Sequence, residues 1–214
     1  LPANHVSGDY FQHYEHDGKL SVCLADVTGH AMEAAIPMIM FNGILDSQME
    51  LGADLDGLFG RLNRSLHRTL RNRHFNRTFV CFTMGELDMK NQSLRLSNGG
   101  CPYLYHYQSS TREIVELRVD AYPLGVSADS EYSIVETSFQ SGDCLIFCSD
   151  GVIEVANEQD EMLGYDRVAA LVQQTCREDL SAGEILDRIL DAAQTFRGET
   201  SQADDMTCVV IRIE

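Results

Sequence analysis

The chain has 214 residues, with 16 Lys and Arg against 33 Asp and Glu, for a formal charge of −17. A composition 44% hydrophobic, with 16 Gly and 4 Pro, is that of a globular protein and excludes intrinsic disorder and collagen-like repeats. So negative a surface repels polyphosphate backbones and anionic headgroups, which argues against nucleic acid and polybasic membrane binding. The surplus carboxylates are either a solvated surface or ligands that converge on metal ions, and composition does not decide between the two.

Leu20 to Asp26, LSVCLAD, is a short apolar run that ends in an acid before the turn VTGH. It reads as a buried strand that delivers Asp26 to a loop. His30 to Met49 is rich in Ala, Met, Ile and Leu and predicts a mostly buried helix beginning near Thr28 or Gly29, which Pro37 bends or interrupts. A second helix is predicted over Asp54 to Arg71, where Leu55, Leu58, Leu62, Leu66 and Leu70 recur at three- and four-residue spacing. Its other face carries Arg61, Arg64, Arg68 and Arg71, either a docking stripe for an acidic partner or a solvated face.

From Thr78 to Thr137 the period shifts toward two. TFVCFTMGELD, QSLRLSNGG, PYLYHYQ, REIVELRV and YSIVETSF read as successive strands joined by polar turns. The strand CLIFCSD, Cys144 to Asp150, again ends in an acid before Gly. Helical stretches over Tyr165 to Gln174 and Ser181 to Phe196 precede the polar GETSQADD and a last strand, MTCVVIRI. Antiparallel strands interrupted and followed by helix pairs predict an α+β fold: an αββα sandwich of two mainly antiparallel sheets flanked by helix pairs. No composition break or internal repeat divides residues 1–214, so one domain is expected.

Seven cysteines are scattered without a C-x-x-C pair, so neither a zinc ribbon nor a thioredoxin motif is supported. Packed thiols in a reducing cytosol account for them. No apolar run approaches the ~20 residues of a membrane span, and no signal-peptide pattern opens the chain. The start at Leu1-Pro2-Ala3 without Met leads us to expect an excised domain.

The acids that carry chemistry each end a strand or sit in a polar turn: Asp9 in SGDY, Asp26 in ADVTGH, Asp150 in CSDG, and Asp204 with Asp205 in ADDMT. A carboxylate at the exit of a buried strand is held by the sheet while its tip reaches the rim. Several converging there repel one another unless cations neutralise them, and such hard oxygen ligands suit Mg²⁺ or Mn²⁺. Singly, each Asp before Gly is also plain turn chemistry.

Taken in order, SGDYF at 7–11, LADVTGHAMEAA at 24–35, SNGG at 97–100, YPLGV at 122–126, LIFCSDGVIE at 145–154 and DDMT at 204–207 closely resemble the bacterial SpoIIE-like (RsbU-type) branch of the PPM metal-dependent serine/threonine protein phosphatases. The resemblance implies that two Mn²⁺ or Mg²⁺ ions are bridged by Asp26, with the Val27 carbonyl helping to ligate one of them. It also implies that Asp150 and Asp204 complete the other site and that Asp9 binds the first metal directly or through water. Asp205 is an auxiliary ligand or a support, and Glu154 a helix-start acid, a support or a ligand. Hydrolysis then runs through a metal-activated water, with no phosphoenzyme and no Cys nucleophile.

His30 is a candidate general acid or substrate contact, set against a loop role. Ala31 replaces a second Gly common in relatives, and Cys101 replaces a His. The resemblance further implies a cytoplasmic output domain, or the cytoplasmic domain of a membrane-anchored sensor, behind an upstream sensor or receiver module, with a homodimer allowed. The implied substrate is a phosphorylated STAS-domain anti-sigma-factor antagonist, and the helix after Asp26 is either a regulatory switch or a covering helix. The competing reading is a degenerate phosphatase domain that binds a partner or senses metal.

Overall fold

A computed structural model describes residues 1–3, 7–29, 32–72 and 78–214. Its chain divides into two compact units with interleaved segments, one comprising Asn4–Cys101 and Val119–Ser138, the other Leu1–Ala3, Pro102–Arg118 and Phe139–Glu214. Each unit is one antiparallel sheet with its own helix pair, the arrangement expected of each half of the predicted fold.

In the first unit the order is β1 (Asp9–His16), β2 (Lys19–Val27), α1 (Met32–Glu50), α2 (Leu58–Asn72), β3 (Val80–Asp88), β4 (Ser93–Gly99) and β7 (Val135–Ser138), and the strands pair as β1-β2-β3-β4-β7. Strand β1 is absent from the sequence-based expectation. Its signal is the Asp17-Gly18 pair, whose φ values of 51° and 76° both lie in the left-handed region, as a two-residue hairpin turn requires. Helix α2 starts four residues later than expected because Gly57, at φ 72°, turns the chain just ahead of Leu58. Helix α1 runs through Pro37 without interruption; only the hydrogen bond that Pro37 has no N–H to make is lost.

The core of this unit is aromatic. Phe82 on β3 meets Phe41 of α1 at 5.0 Å and Phe59 of α2 at 4.8 Å, so both helices are packed onto the sheet. Asn63, fully buried on α2, donates to the Ser127 carbonyl at 2.8 Å and accepts the Gly125 N–H at 2.8 Å. That pair of bonds explains the YPLGV motif as a loop anchored to α2, with Leu124 bonded to Val80 on β3.

The second unit pairs β6 (Glu113–Leu117), β5 (Leu104–Gln108), β8 (Cys144–Cys148) and β9 (Cys208–Arg212) in that order. The short α3 (Asp150–Ile153) follows β8, and α4 (Gly164–Cys176) and α5 (Ala182–Arg197) cover the sheet. Ser181 and Glu184 form a complete capping box at the start of α5. Strand alternation sets Cys144, Ile146 and Cys148 together among the helices, and all seven cysteines are free thiols. Among the described residues, no helix is long and apolar enough to cross a membrane.

A buried hydrogen-bonded aspartate fixes the entry to β8. Asp143 accepts from His106 Nε2 at 2.9 Å, from the Ser109 N–H at 2.8 Å and from the Gln140 N–H at 3.1 Å. Burial opposes its charge, yet the Ser109 and Gln140 amides, the His106 ring and the Ser109 hydroxyl outweigh that and hold its carboxyl below the usual range. Asp143→Ala is expected to destabilise the protein by about 3 kcal/mol, because it strands these donors in the interior. A depressed carboxyl stabilises fully above its unfolded pKa and loses that contribution as pH falls through its folded value. The gap between wild-type and variant denaturant midpoints therefore closes in acid; a gap independent of pH would refute the account.

Candidate metal centre

The two expected acids of the first unit lie side by side. Asp9 and Asp26 are direct partners in the β1–β2 register, so both side chains leave the same face of the sheet. The Val27 N–H donates to the Gly8 carbonyl at 3.3 Å, which makes Gly8 and Val27 the hydrogen-bonded pair. Asp9 and Asp26, one step along, are then the non-hydrogen-bonded pair, the closer of the two kinds. Two carboxylates so placed are a pair that one shared cation can neutralise.

Gly8 lets the backbone of the preceding loop lie close against these oxygens. A Cβ at that position would lie 3.2 Å from the Val27 carbonyl oxygen, 3.3 Å from Asp26 Oδ1 and 3.4 Å from the Ala34 Cβ. The carbonyl and the carboxylate expected to share a metal thus both lie against Gly8, where any side chain would crowd them.

In the second unit, Asp150 opens α3 at the end of β8. Its carboxyl is raised above the ordinary range first by burial, then by the negative charges of Asp204 and Glu154. Its Oδ1 is buried and, among the described residues, has no hydrogen-bond partner. Neighbouring backbone holds this cluster together. Ser149 exchanges bonds with residue 207, its N–H giving to the Thr207 carbonyl at 2.8 Å and its Oγ receiving the Thr207 N–H at 2.9 Å. Ser149 Oγ also donates to the Asp205 carbonyl at 3.2 Å.

Asp204 is exposed, with Oδ1 accepting the Asp205 N–H at 2.8 Å. Asp205 itself is buried and its Oδ1 accepts the Ala3 N–H at 2.7 Å, so this carboxylate ties the first residues to the Asp204 segment. Glu154 is the C-cap of α3, its N–H returning to the Asp150 carbonyl at 2.7 Å. His30 and Ala31 lie outside the described residues. Asn98 and the glycines of SNGG build a turn: Asn98 accepts the Cys101 N–H at 3.0 Å and donates to the Cys101 carbonyl at 2.8 Å.

Among the described residues, no group of three or more His, Cys, Asp or Glu is gathered as a ready metal cage. The pieces nevertheless fit a hard dication. Every donor is an oxygen: in one unit Asp9 and Asp26 face each other across β1 and β2, and in the other the buried Asp150 Oδ1 has no hydrogen-bond partner among the described residues. The role of Gly8 and the engagement of Asp205 by Ala3 escaped the sequence reading. A glycine one residue ahead of the first acid was the available signal for Gly8; nothing in the sequence marked the Ala3 contact.

The sequence model of the family described as Stage II sporulation protein E (SpoIIE) matches residues 16–214. Phosphoserine phosphatase RsbU of Bacillus subtilis (strain 168) is 24% identical over 212 residues, 99% of this chain. The chain spans 61% of the length of that curated relative. In structure, it is similar to the SiaA-PP2C domain of Pseudomonas aeruginosa, with a TM-score of 0.85 at 20% identity over 100% of this chain and 82% of that one. It is also similar to RsbX in complex with magnesium, with a TM-score of 0.69 at 15% identity over 98% and 90% of the two chains. At these identities the structural likenesses establish a common fold.

Proposed function

Because the chain belongs to the SpoIIE family of PPM-type protein phosphatases, we propose that it hydrolyses phosphoserine or phosphothreonine on a regulatory protein, with Mg²⁺ or Mn²⁺ held by Asp9, Asp26, the Val27 carbonyl, Asp150 and Asp204. The observation that carries this reading is Asp150: a buried carboxylate oxygen without a hydrogen-bond partner among the described residues, beside two further acids. Bound there, two dications supply an activated water and positive charge for the phosphoryl oxygens.

The chain's own residues hold and orient. Asp26 and Asp9 present paired carboxylates from a hydrogen-bonded sheet, so neither needs to be ordered when substrate arrives. Ser149 fixes the Asp150 turn against the Asp205 backbone, and Asp205 serves alongside as an auxiliary group that anchors the Asp204 segment. The substrate class we favour is a phosphorylated STAS-domain protein of a partner-switching pathway. Similarity to a phosphoserine phosphatase of the RsbU type supports it, as does an acidic surface that disfavours nucleic acid.

Phosphate release from a phosphorylated STAS protein, and from p-nitrophenyl phosphate, is the test. Turnover is expected with Mn²⁺ or Mg²⁺, and is expected to disappear with chelator and in Asp26→Ala. A folded protein with no metal-dependent turnover on either substrate would overturn the enzyme reading and leave a partner-binding domain in its place.

A further inference from the structure

Helix α1 is apolar on both sides. Ala34, Met38, Phe41 and Leu45 face the core, yet Ile39 on the opposite side is 72% exposed. A helix apolar all round is normally covered all round. Ile39 and Ile44 border a hollow of about 420 Å³ that ends at Gln48. Gln48 also lines an adjoining hollow of about 360 Å³, whose other walls include Arg61, Arg64 and Arg68 of α2. The two form one surface, apolar at one end and basic at the other.

Among the described residues, the basic end shows no counter-ion. Arg61 gives its Nε to Gln48 Oε1 at 3.0 Å and an Nη to the Asp56 carbonyl, both neutral acceptors. Among the described residues, no ion pair involves Arg61, Arg64 or Arg68, whereas Arg95, Arg118, Arg167, Arg188 and Arg212 are each paired with an acid. In a chain with 33 acids, these three guanidiniums lie on successive turns with no ion pair among the described residues, a row whose chemistry suits carboxylates.

We propose that this surface docks an acidic amphipathic helix of a partner protein, its apolar side on Ile39 and Ile44 and its carboxylates on Arg61, Arg64 and Arg68. A free phosphate matches the arginines and leaves Ile39 uncovered. A second copy is disfavoured because each chain carries −17 and a two-fold contact sets the same basic row on both sides.

The probe is a labelled helical peptide of about 18 residues, with Leu at i, i+3, i+4 and i+7 and Glu flanking them. Its binding to the whole chain is followed by fluorescence anisotropy, without metal or substrate. Binding is expected to fall with salt and to weaken about tenfold or more in Arg64→Glu/Arg68→Glu and in Ile39→Ser. Both variants are expected to keep the wild-type melting temperature and basal turnover. The idea fails if the peptide does not bind, if the variants bind it equally, or if a Lys-for-Glu peptide binds as well. It fails too if inorganic phosphate displaces the peptide, or if sedimentation shows a dimer that Arg64→Glu/Arg68→Glu dissolves. Because the assay needs no catalysis, its outcome and that of the phosphatase test are independent.

Discussion

Asp150→Asn is expected to lower turnover on the order of 10³-fold while making the metal-free protein more resistant to heat. The two effects share one cause. Burial, then Asp204 and Glu154, raise the Asp150 carboxyl, so the folded protein holds that proton more tightly than the unfolded chain does. Stability of the metal-free protein therefore declines as pH climbs from the ordinary carboxylate value to the raised one, and stays lower above it. Asn has no charge to bury, so the variant lacks this decline and melts higher in chelator at neutral pH. Adding Mg²⁺ or Mn²⁺ reverses the order, since a ligand that binds only the folded state raises its melting temperature. Melting curves with and without metal, from about pH 4 to pH 8, decide the matter. A variant that melts lower than wild type in chelator, or gains as much from metal, would show that Asp150 is not held in readiness for a cation.

Gly151→Ala is expected to destabilise the protein by about 3 kcal/mol and to abolish turnover with it. Gly151 does not have a positive φ, so backbone strain is not the reason. A Cβ there would press into the Asp205 carbonyl group, 2.8 Å from its carbon and closer still to its oxygen, and 3.5 Å from the carbonyl carbon of Asp204. That contact is with backbone, which cannot rotate away as a side chain would. The turn carrying Asp150 must then move off the segment carrying Asp204. Gly183→Ala is the matched control, because a Cβ there meets nothing within 4 Å and alanine favours the helix. Equal denaturant midpoints for Gly151→Ala and wild type would remove the steric argument.

Much of this was legible in the sequence, for reasons that can be located. The strand that carries Asp26 and the strand that leads to Asp150 are continuous apolar runs, and buried sheet demands such runs. The helix over 182–197 announces itself through Ser181 and Glu184 three residues on. What stayed hidden is what depends on long-range pairing. Strand β1 is an edge strand whose residues alternate without a strong apolar face, so only the Asp17-Gly18 turn betrays it. Leu55 keeps the helical spacing and so predicts an earlier start for α2, although Gly57 turns the chain before the helix begins. The opposition of Asp9 and Asp26 follows from register alone, and register cannot be read from one strand. Asp205 looked like a second acid of a ligand pair; its bond to Ala3 spans 202 positions of sequence and leaves no local trace.

The interleaving of the two units also sets an order of events during synthesis. Every strand of the β1-β2-β3-β4-β7 sheet has been made once residue 138 is out, whereas the other sheet waits for β9, which ends at Arg212. Contacts so distant in sequence close slowly, so the second sheet is completed after the first. A chain stopped before residue 204 would keep every strand of the first sheet, with Asp9 and Asp26 in register, and lack both Asp204 and β9, so with Asp204 in its proposed role such truncated products are expected to be inert and not partly active.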